Sequence, residues 1–174
     1  MEFVREIWEN DQEYMTIIED LLKNEKLLKL DEITHHHYTT RLTHSLFVSY
    51  MSYKLAKSRG LDYISTARAG LLHDFFLEGR DEISELGLGS HNSAHPKIAL
   101  KNARKITEIN ELEKDIILKH MFLCTPRCGF PRFKESFIVT LVDKYCAISE
   151  VSTPTRHWFK EFYTLLQSKV SYSN

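Results

Sequence analysis

The sequence predicts an all-α, single-domain bundle of about six to seven helices, and three observations carry that expectation. Apolar residues recur at helical spacing along almost the whole chain, and strand-like alternation is scarce. The 6 glycines and 4 prolines sit almost wholly between the periodic stretches. At 174 residues the chain is long enough for one substantial core and short for two.

Taken in order, a first helix covers Glu2 to Leu28, with room for a break in its middle. A second starts near Thr39 and stops before Gly60, which suits the C′ position. A third runs from Tyr63 to Leu77, and the stretch Glu78 to Ala94, with its 3 glycines, reads as a loop. Pro96 then fits the first turn of a fourth helix ending near Thr107, and a fifth covers Glu111 to Met121. After a Pro/Gly/Arg-rich loop, Cys124 to Arg132, a sixth helix spans Lys134 to Glu150 and a seventh Thr155 to Lys169. No internal repeat or linker divides the chain, so one domain is expected over 1–174. Its motif-bearing core is about 41–150, with the N- and C-terminal helices packed on it.

Composition narrows the function classes. The chain is 43% hydrophobic and 27% charged with a formal net charge of -1, which gives no general electrostatic signature of a nucleic-acid polymer or a membrane surface as partner. The first twenty residues are laced with Glu and Asp, and no run approaches the roughly 18 apolar residues of a membrane span, so a cytoplasmic protein is expected. The 3 cysteines, Cys124, Cys128 and Cys146, are an odd number without a secretory signal and point to reduced thiols. The 9 histidines are the one compositional oddity.

Drawing out the helical faces collects those histidines. The apolar stripe of the second helix through Phe47, Val48, Met51 and Leu55 leads back to His44. His73 and Asp74 follow Ala69, Gly70 and Leu71 on the third, and His95 shares a face with Ile98 and Ala99 on the fourth. His120 lies with Ile116 and Ile117 on the fifth, and Asp143 with Val139, Cys146 and Ala147 on the sixth. A buried carboxylate without a partner costs several kcal/mol or more. No Lys or Arg is expected on these inward stripes to pair with the two aspartates. A divalent metal meets the requirement, because imidazole and carboxylate together suit Fe, Mn, Co, Ni or Zn.

The segments Arg41-Leu-Thr-His44-Ser45, Ala69-Gly-Leu-Leu-His73-Asp74, His95-Pro96, Ile117-Leu-Lys-His120 and Leu141-Val-Asp143 resemble the successive motifs of the HD superfamily, in the order H, HD, H, H, D. The resemblance spans roughly Arg41 to Glu150 and implies an all-helical core with metal-dependent phosphomonoesterase or phosphodiesterase activity. It further implies a dinuclear type of centre, since the members that add two histidines between HD and the last Asp hold two ions, and His95 and His120 stand in those places. Carried across, His44, His73, Asp74 and Asp143 ligate one ion, while Asp74 bridges to a second held by His95 and His120. Two divalent ions against two carboxylates leave a positive pocket suited to phosphate, and a water acidified between them becomes the nucleophile. His73, Asp74 and Asp143 are accordingly the expected catalytic group. The segment Phe75-Phe-Leu-Glu78-Gly79 departs from the HD-GYP pattern and makes cyclic dinucleotides the less favoured substrates.

Other residues point less sharply. Arg41, one turn before His44, stands where HD hydrolases often keep a phosphate-contacting arginine, and a solvated helix-face arginine is the equal alternative. His37, within His35-His36-His37, could roof the site, supply a ligand or acid, or belong to a polar loop. Arg127, Arg132 and Lys134 read either as a phosphate-guiding rim or as a solvated loop, and His91 and His157 read as structural. Cys124 and Cys128 have no second pair of ligands for a zinc site. The expectation is a hydrolase acting on a small, nucleotide-like phosphorylated substrate. The alternative is a metal-containing ligand-binding or sensing module without turnover.

Overall fold

The computed structural model describes residues 8–35, 39–85, 87, 89–125 and 128–151. The seventh helix expected over Thr155 to Lys169, the beginning of the first, and His36, His37, Arg127 and His157 lie outside the described residues. Within them the fold is all-α, as the periodicity predicts, and no helix is long and apolar enough to cross a membrane.

The N-terminal helix is broken. Helix α1 covers Gln12–Leu22 and α2 Glu25–Leu28, because the Asn24 side chain accepts from the Lys26 and Leu27 N–H groups and starts a new helix. A 3₁₀ turn, Lys29–Glu32, leads to two short antiparallel strands, β1 Thr34–His35 and β2 Thr39–Thr40, where a loop was expected around the histidine triplet. Thr40 then caps α3, Arg41–Lys57, by accepting from the Thr43 N–H at 3.2 Å. The helix stops as the glycine predicts. Gly60 adopts φ 64°, its N–H donates to Lys57 O and that of Leu61 to Ala56 O, the paired bonds of a Schellman motif.

Helix α4, Tyr63–Leu72, is capped by Asp62 and ends well before Leu77. The expected extension fails because two adjacent phenylalanines serve different clusters. Phe75 is buried in the main core, whereas Phe76 packs with Ile83, Ala94 and Ile98 in a separate one, so the chain leaves the helix at His73–Asp74 and continues without regular structure. Ile83 belongs to α5, Arg80–Glu85, a short helix inside the stretch expected to be loop. Helix α6 covers His91–Ala103, so it starts earlier and ends earlier than the sequence suggests, and Pro96 sits in its second turn. A proline there forfeits only one helical bond, to Asn92 O, and Cys128 Sγ lies 3.9 Å from that carbonyl. Helices α7, Glu111–Lys119, and α8, Lys134–Val151, match the expected fifth and sixth, the former opened by an Asn110/Glu113 capping box.

Helix α3 is central, packed against α4 and α8, while α7 bridges α4 and α8. The α3–α4 contact is close because Gly70 faces the Ser49 backbone. The Ser49 hydroxyl donates to Ala67 O at 2.6 Å and accepts from Tyr14 at 2.8 Å, tying α1 to both. A Cβ on Gly70 would fall 2.9 Å from Ser49 Cα. Gly70→Ala would gain about 1 kcal/mol of helix propensity. Overpacking against an unyielding backbone costs roughly 1–3 kcal/mol, and that term should win. The expected result is a melting temperature lower by roughly 2–4 °C. An unchanged or raised value would show that the two helices can part without cost.

Candidate metal centre

The buried polar residues converge at one place. His44 comes from α3, His73 and Asp74 from the turn that ends α4, His95 from α6, His120 from the end of α7, and Asp143 from α8. All are buried, from His73 with no exposure to Asp74 at 7%. Their potential ligand atoms form two groups, His44/His73/Asp74 and Asp74/His95/His120, each within 4.8 Å internally. Asp74 belongs to both. Its Oδ1 is 3.4 Å from His95 Nε2 and 3.5 Å from His120 Nε2, and its Oδ2 is 3.9 Å from His73 Nε2. Asp143 completes the first group from the far side, with Oδ1 3.1 Å from His44 Nε2 and 3.7 Å from His73 Nε2.

The ring orientations are fixed from behind. His73 Nδ1 lies 2.7 Å from Gly70 O, His120 Nδ1 2.8 Å from Ile117 O, and His95 Nδ1 2.8 Å from His91 O. A carbonyl only accepts, so each Nδ1 must carry the proton and each ring turns its Nε2 inward. Gly70 and Ile117 stand in the last turn of their helices, where carbonyls lack helical donors, which makes this anchoring available. Burial pushes the His95 imidazole down to about 3, so it is neutral near pH 7. Burial acts to raise Asp74 and Asp143, but hydrogen bonds from the neighbouring imidazoles and the positive charge around them outweigh it and hold both well below the usual carboxylate range.

These nitrogens face one another. His95 Nε2 and His120 Nε2 are 2.9 Å apart, and His73 Nε2 and Asp74 Oδ1 are buried with no hydrogen-bond partner. Ring nitrogens and carboxylate oxygens crowded together in a low-dielectric interior are costly unless a proton or a cation sits among them. A cation among them removes the conflict, and the mixed imidazole–carboxylate set suits first-row transition metals. The residues therefore fit a metal ion in either group.

One expectation needs correction, and one of two open alternatives is excluded. The aspartates are not without cationic neighbours: Lys144 Nζ donates to Asp143 Oδ2 at 2.7 Å and lies 2.8 Å from Met121 Sδ. Lys144 is one residue off the inward stripe and reaches round by its flexible stem, which a helical projection does not register. Arg41 is not solvated either. It is 8% exposed, its guanidinium lies 3.7 Å over the Phe76 ring and donates to Phe76 O at 2.5 Å, and its Nε is buried without a partner. Burial lowers its pKa while Asp74 and Glu78 act in the opposite sense. His91 also has a place here: its ring centroid is 5.0 Å from that of His95 and 5.6 Å from Phe76, a neighbourhood its spacing of one turn before His95 could have suggested. Arg132 and Lys134 are exposed, and Cys124 and Cys128 are free thiols.

A family model described as HD domain matches residues 41–148, more than half of the chain and the span that holds every residue of this centre. Neither the curated proteins nor the solved structures give a match.

The neutral burial of His95 has a consequence for stability. An unfolded chain protonates such a ring near pH 6.5, whereas the folded one resists down to about 3. Between those values the unfolded state binds the extra proton, so stability rises with pH across the window and falls on acidification. Metal-free protein should melt at lower temperature at pH 5 than at pH 7, and His95→Gln should flatten that dependence. An identical pH slope in the variant would refute the account.

Proposed function

The chain belongs to the HD domain family, largely one of metal-dependent phosphohydrolases, and we propose that it hydrolyses a phosphate ester of a small, nucleotide-like metabolite. The observation that carries this reading is Asp74, a buried carboxylate shared by two groups of inward-facing imidazoles. His44, His73, Asp74 and Asp143 would hold one divalent ion, and Asp74, His95 and His120 a second. Such ions supply Lewis-acid charge for the phosphoryl group and lower the pKa of water.

The chain's own residues do the rest. Carbonyl-anchored imidazoles keep their Nε2 atoms fixed before anything binds, so little reorganisation accompanies ligand capture. Arg41, with a buried and unpartnered Nε and an electrostatic attraction to Asp74, supports the reading of a phosphate-contacting residue over a solvated one. His37 is retained as a candidate substrate contact on its position in the sequence alone.

The bridging assignment predicts a hierarchy. Asp74→Asn should lose both ions and all hydrolysis, while His95→Ala or His120→Ala should lose chiefly one ion. Elemental analysis that finds wild-type metal content in Asp74→Asn would show that Asp74 does not bridge. Hydrolysis itself is tested with metal-loaded protein and a panel of monoesters, cyclic nucleotides and dinucleoside polyphosphates. No turnover of any member would leave the binding-module reading in its place.

Removing the ions should also destabilise the fold, because the inward nitrogens would again face one another without a cation. A ligand at a thousandfold excess over its dissociation constant contributes on the order of 4 kcal/mol. Chelation should lower the melting temperature, and added Mn, Fe or Co should restore it together with activity. A demonstrably metal-free sample that melts at the holo temperature would contradict this.

A further inference from the structure

Arg41 stands in a costly position. It is the first residue of α3, where the positive end of the helix dipole opposes a cation. It is 8% exposed, and among the described residues it forms no ion pair. An arginine buried for stability is paired with a carboxylate, whereas this one keeps its charge uncompensated and its Nε without a partner. A donor left over on a buried cation is a place for an anion.

What holds Arg41 there is Phe76. The guanidinium carbon lies 3.7 Å from the centroid of the Phe76 ring, and Nη1 donates to the Phe76 carbonyl at 2.5 Å. A ring face and a carbonyl fix the planar fork in direction and add no formal negative charge, so they orient the cation without neutralising it. Phe76 is itself tied to the centre twice. Its N–H donates to Asp74 O at 2.8 Å, and its ring centroid is 5.1 Å from that of His95. Ile83, Ala94 and Ile98 pack with the ring and leave the residue 2% exposed. Arg41 and His95 therefore pack on one buried ring, two residues from the carboxylate that both ion groups share.

We propose that Phe76 is a positioning residue of an anion site: it holds the Arg41 guanidinium, still unneutralised, beside the Asp74/His95/His120 group, where Arg41 binds a tetrahedral oxyanion of the phosphate class. Taking that anion as the phosphoryl group of an ester rests on the phosphohydrolase reading; the hold of Phe76 on Arg41 and the capture of the anion do not.

A double-mutant cycle on inorganic phosphate affinity, read by calorimetry of the metal-loaded protein, tests the assignment. Arg41→Gln should weaken binding by roughly tenfold, as loss of a charge-assisted hydrogen bond does. Phe76→Leu keeps the apolar filling and removes the ring, and should weaken binding by about threefold or more. In the Arg41→Gln background the same Phe76→Leu change should alter affinity by less than about twofold, because no guanidinium remains to be held. Phe76→Met repeats the cycle should the leucine variant fail to fold. Equal losses from the Phe76 change in both backgrounds, or no loss in either, would reduce Phe76 to core filling and overturn the proposal. Elemental analysis should find wild-type metal content in Phe76→Leu; loss of metal would show that the ring serves His95 rather than Arg41, and would overturn it too. Coupled phosphate binding without turnover of any ester would retire the hydrolase reading and keep the site. Ester hydrolysis with a phosphate affinity indifferent to both residues would do the reverse.

Discussion

Everything in this fold answers to one buried carboxylate. Asp74 is 7% exposed, has its pKa held well below the usual carboxylate range, and has imidazole nitrogens on both sides. A negative charge in that setting is tolerable only if the structure supplies cations, and it must supply them from several helices because no single helix surrounds a point. The five chain segments that meet at the centre are therefore constrained in register as well as in direction. A shift of one residue along α6 or α7 would turn its histidine away by about 100°.

The structure meets this constraint with helix ends. His73 and His120 stand just past the last residues of α4 and α7, where backbone carbonyls lack N–H donors. Each ring donates Nδ1–H to such a carbonyl and so satisfies the helix terminus, fixes its own tautomer and aims Nε2 at Asp74 in a single contact. The early termination of α4 serves the same end. If the helix continued to Leu77, Phe75 and Phe76 would be held on one helical path, and Arg41 could not both stack on Phe76 and bond its carbonyl. The unwound segment after Asp74 thus links the centre to the satellite cluster under α5.

How much of this was legible in the sequence follows from which forces act locally. Gly60, Asp62, Thr40 and the Asn110/Glu113 pair act within a turn of chain, and the boundaries of α3 and the starts of α4 and α7 follow from them. His44, His95, His120 and Asp143 were visible because burial imposes the helical period on polar and apolar residues alike. The end of α4 and the existence of α5 were not, since both depend on where Phe76 and Ile83 find a second cluster, a contact between separated segments. Lys144 escaped for a different reason. A stripe argument follows the direction of Cα–Cβ bonds, and a lysine stem is long enough to leave that direction and place its ammonium 2.7 Å from Asp143. Arg41 was named as a candidate, but its burial was not legible, being set by the Phe76 ring that covers it.

Charge balance then bears on what the centre is for. Asp74 and Asp143 are opposed by Arg41 and Lys144, so these four side chains sum to roughly neutral before any ion is bound. A structural metal site gains nothing from that arrangement, because the two cations weaken the attraction of the carboxylates for a dication. Were divalent ions held by the imidazoles as well, the pocket would be strongly positive, and burial would keep that charge unscreened. An anionic ligand is the missing counter-charge, and the unpartnered Nε of Arg41 is a donor left over for it. The two extra cations weaken the carboxylates' hold on a metal and favour an anion, and that balance supports the phosphohydrolase proposal over a site that merely ties helices together.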